Sequence, residues 1–259
     1  MTAPVSRDFA RLGPPAGSTV VVCGGCGGIG TAIVKGCLAT GLDTIVLDLP
    51  ATHDANPPPP EAQFIAMDAF EEEQVKSAFM AIATDYAAVD AVLNLIGAGK
   101  GPRALVDTPT EDFDEVVHRN LRASFLISKY AMPLLKASGA GSLVHTATGM
   151  AIRTIPGVGP YAAAKAGVIG LTRALAIENG PTVRVNVIAP GGVTNKVKVT
   201  GADAKGPGGM DVAAIMNQIA LKRFADPDDM VAPFLFLAGP SSIYITGQTL
   251  HVNGGAITP

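Results

Sequence analysis

A β-branched run from Thr19 to Cys23 passes without interruption into a stretch with glycine at 24, 25, 27, 28 and 30, and a helical pattern starts at once. Few arrangements need so much bare backbone between a strand and a helix. Glycine lets the chain turn sharply and lets its N–H groups approach a ligand, and the positive end of the following helix favours an anion there. The combination predicts a βα unit that holds a pyrophosphate, with Gly24, Cys26, Gly28, Ile29 and Gly30 as the cradle.

The rest of the chain repeats the strand-then-helix rhythm. Thr44 to Leu47, Phe64 to Ala66, Ala91 to Ile96, Ser142 to Thr146, Arg184 to Ile188 and Thr249 to Val252 read as further strands. Helical stretches fall near Gly30 to Ala39, Gln74 to Asp85, Asp112 to Ala137, Ala162 to Asn179 and Pro227 to Leu237. Apolar strands separated by helices imply an α/β fold: a doubly wound parallel sheet of Rossmann type in three layers, with ligands at the carboxyl ends of its strands. At 259 residues and 48% hydrophobic content the chain can bury one large core, so residues 1–259 are expected to form one catalytic domain with 1–17 as a flexible arm.

Two segments break the rhythm. Four prolines at 57 to 60 stand where a crossover helix would join the second and third strands, so that helix is predicted to be short or missing. Glycine-rich residues 200–210, followed by a helical run from Asp211 to Ala220, predict a substrate lid over 195–220.

A net charge of −3 gives no footprint for nucleic acid or an anionic membrane, and no stretch is apolar enough to span one. The expected partner is a small molecule, and the expected location the cytoplasm. Three cysteines make no disulfide framework, and the lone Cys23/Cys26 pair lacks the second cluster that a zinc site needs, so no metal is expected. A disulfide joining those two sulfurs would deform the phosphate loop. The four histidines show no ligand spacing, Glu71 to Glu73 read as the acidic first turn of a helix, and Arg153, Lys196 and Lys198 as solvated charges near the pocket.

Asp48 ends the second strand, 18 positions after Gly30 (48 − 30). A carboxylate there accepts hydrogen bonds from the adenosine ribose and repels a 2′-phosphate, which favours NAD over NADP. Asp68, with Ala69 beside it, follows the third strand and could similarly hold the adenine. Tyr161 and Lys165 are four apart, on one helical face. A phenol loses its proton near pH 10, and a fixed cation beside it favours the phenolate, so the pair suits proton transfer.

Taken with Asn120 and the run Pro190-Gly191-Gly192-Val193-Thr194, these residues make the chain resemble the short-chain dehydrogenase/reductase family, in its branch of about 250 residues, from Ser18 to Gly255. Gly24, Gly28 and Gly30 fit that branch's GxxxGxG, while Gly24, Gly27 and Gly30 also fit the GxxGxxG of longer relatives; length favours the former. The resemblance implies that Asn120 holds a water linking Lys165 to solvent. It also implies that Asn94 and Gly97 follow the fourth strand beside the cofactor, that Lys165 holds the nicotinamide ribose, and that Pro190, Gly191, Val193 and Thr194 close over the nicotinamide. The family's serine, thirteen before the tyrosine, is Thr148 here (161 − 13), and its NNAG is Asn94-Leu-Ile-Gly97. Asn120, Thr148, Tyr161 and Lys165 are thus the expected catalytic set for NAD-dependent oxidation of a secondary alcohol or reduction of a ketone. Thr148, Met150, Ile155 and Tyr161 are expected to face a largely apolar substrate, with Leu95, Ile96, Ile152 and Val158 nearby. Relatives of this length suggest a homotetramer, or else a dimer. The competing reading is a non-catalytic NAD-binding sensor or scaffold on the same fold.

Overall fold

The computed structural model describes residues 12–194 and 212–258, so most of the expected arm and lid lie outside the described residues. In chain order the strands and helices are β1 (Thr19–Cys23), α1 (Gly28–Ala39), β2 (Asp43–Asp48), α2 (Pro50–Ala55), β3 (Gln63–Ala66), α3 (Glu72–Asp85), β4 (Ala91–Asn94), α4 (Thr110–Val117), α5 (Ala123–Ala137), β5 (Gly141–Thr146), α6 (Gly159–Asn179), β6 (Val183–Pro190), α7 (Val212–Gln218), α8 (Val231–Ala238) and β7 (Thr249–Val252). The seven strands form one parallel sheet in the order β3-β2-β1-β4-β5-β6-β7. Among the described residues no helix is long and apolar enough to cross a membrane.

Both faces of the sheet are covered. Val20 and Val22 of β1 pack with Ile33 and Val34 of α1 and Phe234 of α8, whereas Val21 and Cys23 pack with Phe79 of α3 and Leu126 and Ile127 of α5. Successive strand residues point to opposite faces, so a fully apolar β1 means helices on each side and three layers. The strand order reverses direction between β1 and β4, where Cys23 is paired with Asn94. Two chain segments leave the sheet side by side at that point, and the crevice between them is where a doubly wound fold takes its ligand.

Local chemistry explains the differences from the sequence reading. The crossover helix α2 occupies only 50–55, because Pro57 to Pro60 cannot extend it. Strand β4 stops two residues early, since the Asn94 side-chain oxygen accepts from the Ile96 N–H at 3.1 Å and turns the chain. The single helix expected over Asp112 to Ala137 is split into α4 and α5 by a π-helical turn at His118–Arg122. Asn120 lies inside that turn and donates from Nδ2 to the carbonyl of Val116, one turn back, at 2.8 Å. At the inner end of the expected arm, Gly13 packs on Leu235 and Gly239, and Gly17 N–H donates to the Gly41 carbonyl. Arg184 of β6 ties down the end of α8, its guanidinium donating to the carbonyls of Leu237, Ala238 and Gly239 that the helix leaves open.

Candidate active site

The segment from Gly24 to Gly27 carries the chain from β1 into α1. Gly24 sits at φ +82, a left-handed conformation that suits glycine, and a Cβ there would touch Ile96 of the neighbouring turn. Gly30 lies so close to the loop that a Cβ would come 2.1 Å from the Gly24 carbonyl oxygen. Gly27 caps α1 with no side-chain hydrogen bond, so the N–H groups of the first turn face the crevice without a protein side chain to satisfy them. A groove of about 340 Å³ runs from these glycines to Leu95, Thr148, Tyr161, Lys165 and Pro190.

Asp48, 6% exposed, fastens the loop: Oδ2 accepts from the Cys26 N–H at 2.9 Å and Oδ1 from the Leu49 N–H at 2.8 Å. Each oxygen keeps a lone pair for a further donor. The next peptide of the loop is held by Asn56, whose Nδ2 donates to the Cys26 carbonyl at 2.7 Å and to Thr31 Oγ1 at 2.8 Å. Nothing in the sequence pointed to Asn56, because the only local signal was the prolines after it. Cys23 and Cys26 are free, buried thiols. Burial and then the charge of Asp48 push both up, Cys26 to about 11, so little thiolate exists at neutral pH to start disulfide exchange.

Tyr161 and Lys165 share the first turns of α6. Lys165 is 2% exposed, and its ammonium donates to the carbonyls of Thr146 at 2.8 Å and Ile96 at 3.3 Å, 6.0 Å from the Tyr161 ring centre. Burial brings its pKa down to about 8. Burial also raises the Tyr161 phenol above its ordinary value. The sequence reading expected Lys165 to favour the phenolate; in the structure the ammonium is turned to backbone carbonyls and desolvation of the phenol dominates. Asn120 is fully buried, donates to the Ala98 carbonyl at 2.7 Å, and among the described residues has no partner for Oδ1. A Cβ on Gly97 would lie 2.5 Å from that oxygen and 2.6 Å from Lys165 Nζ, so both atoms face one small gap kept open by glycine.

Gly24, Gly28, Ile29, Gly30, Gly97, Thr148, Pro190, Gly191 and Val193 line the groove with Tyr161 and Lys165. Thr148 Oγ1 accepts from the Met150 N–H at 3.3 Å, which leaves its proton to donate elsewhere. Asp68 accepts from the Phe70 N–H at 2.9 Å beside the buried Ala69, at the end of β3. The Thr194 hydroxyl donates to Asp226 at 3.1 Å. Met150 and Ile155 line neither this groove nor a second cavity, of about 370 Å³, that opens on the other side of Tyr161. That cavity is walled by Lys100, Arg103, Thr108, Asp112 and Val158. Lys196 and Lys198 lie outside the described residues.

Behind the site runs a buried polar chain that the sequence did not reveal. Asn94 Nδ2 donates to His145 Nδ1 at 3.0 Å, which assigns the imidazole proton to Nε2, facing Ser128 Oγ at 3.0 Å. Asn94 also meets Ser124 Oγ at 3.2 Å, and Ser124 donates to the Asn120 carbonyl at 2.8 Å. Burial and then the charge of Lys165 lower the His145 pKa to about 3. Protonation would set an N–H against the Asn94 amide. The unfolded chain, titrating near 6.5, takes up a proton that the folded chain refuses. Stability contributed by neutral His145 is therefore full above 6.5 and falls as pH drops toward 3, by about 1.4 kcal/mol per pH unit. Denaturant titrations at several acid pH values should show this slope in the natural protein and a flatter one in His145→Asn.

A family model described as Enoyl-(Acyl carrier protein) reductase matches residues 24–257. The chain is 29% identical over 248 residues to a 3-oxoacyl-[acyl-carrier-protein] reductase of Thermotoga maritima, covering 93% of this chain and 98% of that protein. It is 31% identical to a probable galactose dehydrogenase of Rhizobium meliloti, covering 91% and 93%. An uncharacterized short-chain type dehydrogenase/reductase of Sinorhizobium fredii is 31% identical over 92% of this chain, which spans only 43% of that longer protein. Among solved structures, the aldohexose dehydrogenase of Thermoplasma acidophilum superposes with a TM-score of 0.83 at 23% identity, over 94% of this chain and 98% of that one. The tyrosine and lysine on one helix beside a glycine-lined groove therefore have a family context, and the chain belongs to the short-chain dehydrogenase/reductase family of oxidoreductases, which bind a nicotinamide cofactor.

Proposed function

We propose that this protein transfers hydride between NAD(H) and a secondary alcohol or its ketone, with Tyr161 as general acid and base. The observation that carries the reading is the position of Tyr161, which lines both the glycine groove and the second cavity and so stands where two ligands would meet. A dinucleotide fits the residues present: uncapped N–H groups at α1, a carboxylate with spare lone pairs at Asp48, and a buried ammonium at the far end of the groove.

When bound, the cofactor supplies a two-electron acceptor for the carbinol hydrogen at its nicotinamide ring. The chain's residues do the rest. Tyr161 takes the hydroxyl proton in oxidation and returns it to the carbonyl oxygen in reduction. Thr148 donates its hydroxyl proton to the same oxygen and holds it in line. Lys165 binds the nicotinamide ribose, and Asn120, through a water in the gap over Gly97, replenishes protons from solvent. Asp48 binds the adenosine ribose hydroxyls and disfavours a 2′-phosphate, Asp68 and Ala69 flank the adenine, and Pro190 to Thr194 close over the nicotinamide. The domain acts in the cytoplasm as a homotetramer, a reading supported by large apolar side chains left in solvent, among them Val106, Ile177 and Tyr244.

The test is to follow NADH formation with NAD or NADP over a broad panel of secondary alcohols. Turnover with a preference for NAD is expected; binding of NAD without turnover of any alcohol would favour the non-catalytic alternative. The pH dependence is a sharper check. Since the Tyr161 pKa is raised, its base form is scarce at neutral pH, and oxidation should accelerate up to about tenfold per unit from about pH 6 to about pH 8. Reduction needs the protonated phenol and should stay level, then decline as Lys165 loses its charge near pH 8. An oxidation rate flat across that interval would remove Tyr161 from the proton path.

A further inference from the structure

The second cavity beside Tyr161 differs in character from the apolar pocket that the sequence suggested. Lys100, Arg103 and Asp112 of its wall belong to an ion-pair network that continues behind it: Lys100 bridges Asp112 and Glu115, Arg103 meets Asp112 at 3.2 Å, and Arg119 meets Glu115 at 2.8 Å. Lys100 holds both carboxylates below their ordinary range and is itself raised by them, so the network stays ionised at neutral pH. Two backbone segments fix it in place, because the Arg103 N–H donates to the Gly157 carbonyl at 3.0 Å just ahead of α6. Gly99 of the same loop packs on the Tyr161 ring.

Three kinds of substrate can be weighed against this wall. An apolar alcohol would strip water from ionised groups and return no hydrogen bonds, which is costly. An anion drawn to Arg103 would also lie beside the Asp112 carboxylate, and the repulsion opposes the attraction. A neutral molecule bearing several hydroxyls suffers neither penalty, since each hydroxyl both donates and accepts. It can give to Asp112 and Thr108 Oγ1 while taking from Arg103 and Lys100. A volume of about 370 Å³ suits a small ligand.

We infer that the substrate is an uncharged polyhydroxylated compound, an aldose or cyclic polyol. Its reacting carbinol lies at Tyr161 and Thr148, and its remaining hydroxyls lie against Arg103, Asp112 and Thr108. The inference rests on Tyr161 being the reacting group. The reaction keeps the balance already given, with hydride leaving one ring carbon and the proton of that carbon's hydroxyl passing to Tyr161. Arg103 and Asp112 thereby determine which alcohol is accepted and take no part in the proton transfer.

The test pairs binding with turnover, using glucose, myo-inositol, gluconate and cyclohexanol as probes. Binding to the NADH-saturated protein is read by saturation-transfer NMR, and NAD reduction is followed separately. Glucose or myo-inositol should bind, and one of them should be oxidised with a kcat/KM above those of cyclohexanol and gluconate. Arg103→Met and Asp112→Asn should each weaken that binding and raise KM by about tenfold or more, with kcat changed by less than about threefold and NADH affinity unaltered. Polyol binding without turnover would keep the pocket assignment and sink the catalytic reading. Preferential turnover of cyclohexanol or of gluconate would keep the catalytic reading and overturn the substrate class. Absence of both polyol binding and polyol turnover would overturn the inference, as would variants that behave like the natural protein.

Discussion

Tyr161→Phe is expected to lower turnover by about two to four orders of magnitude while leaving NADH binding within about twofold of the natural protein. The hydroxyl is the only part removed, and among the described residues no hydrogen bond to it helps to hold α6, where Pro160 and Ala162 anchor the same turn in the core. Proton transfer at the substrate oxygen would pass to water or to Thr148, and a threonine hydroxyl is a far weaker acid than a phenol. Stopped-flow turnover in both directions, beside a fluorescence titration with NADH, separates chemistry from binding. A loss confined to KM, with kcat retained, would show that Tyr161 only lines the groove.

Gly30→Ala should have the second largest effect, at the opposite end of the groove. Its Cβ would stand 2.1 Å from the Gly24 oxygen and 2.7 Å from the Gly25 Cα, both backbone atoms that no rotamer change can move. Relief requires the loop and α1 to separate by about an ångström, and a displacement of that size can cost about 100-fold where a ligand is held by aligned N–H groups. Overpacking adds a stability loss of about 1–3 kcal/mol. NADH affinity is accordingly expected to fall by about 100-fold, with a lower melting temperature. Gly170→Ala, on an open side of α6 where a Cβ meets nothing within 4 Å, is the control and should leave affinity unchanged. Equal NADH affinity in Gly30→Ala and the natural protein would mean that the cofactor does not rest on this loop.

The two predictions differ in how far the sequence alone could support them. Gly30 was legible because its constraint is local: the strand, the glycines and the helix are consecutive, and the backbone geometry of that turn follows from residue type. Asp48 was legible by its interval from Gly30, and the structure brings both its oxygens to the loop and its flank. Tyr161 and Lys165 were legible as one helical face, yet the direction in which burial moves the phenol was not. That direction depends on which groups surround it, and the carbonyls that capture Lys165 come from Thr146 and from Ile96, 69 residues away.

The same distinction governs the residues that were missed. Asn56 reaches the loop across 30 positions, and His145 meets Asn94 across 51, so neither leaves a periodic or spaced trace in the chain. The wall of the second cavity is the clearest case. Leu95, Met150 and Ile155 gave an apolar composition near the tyrosine, whereas Lys100, Arg103 and Asp112 are drawn together beside it by ion pairs between a loop and α4.

By itself the sequence determined the parallel three-layer sheet, the glycine turn between β1 and α1 and the tyrosine-lysine pair, because each arises from alternation, glycine freedom or helical spacing among residues close in the chain. Only the tertiary structure decided the protonation preferences of Tyr161, Lys165 and His145, the clamp on the two peptides flanking Cys26 and the polar lining of the second cavity. Desolvation and long-range hydrogen bonding set those properties, and both depend on which distant segments the folded sheet brings to the carboxyl ends of β1, β4 and β5.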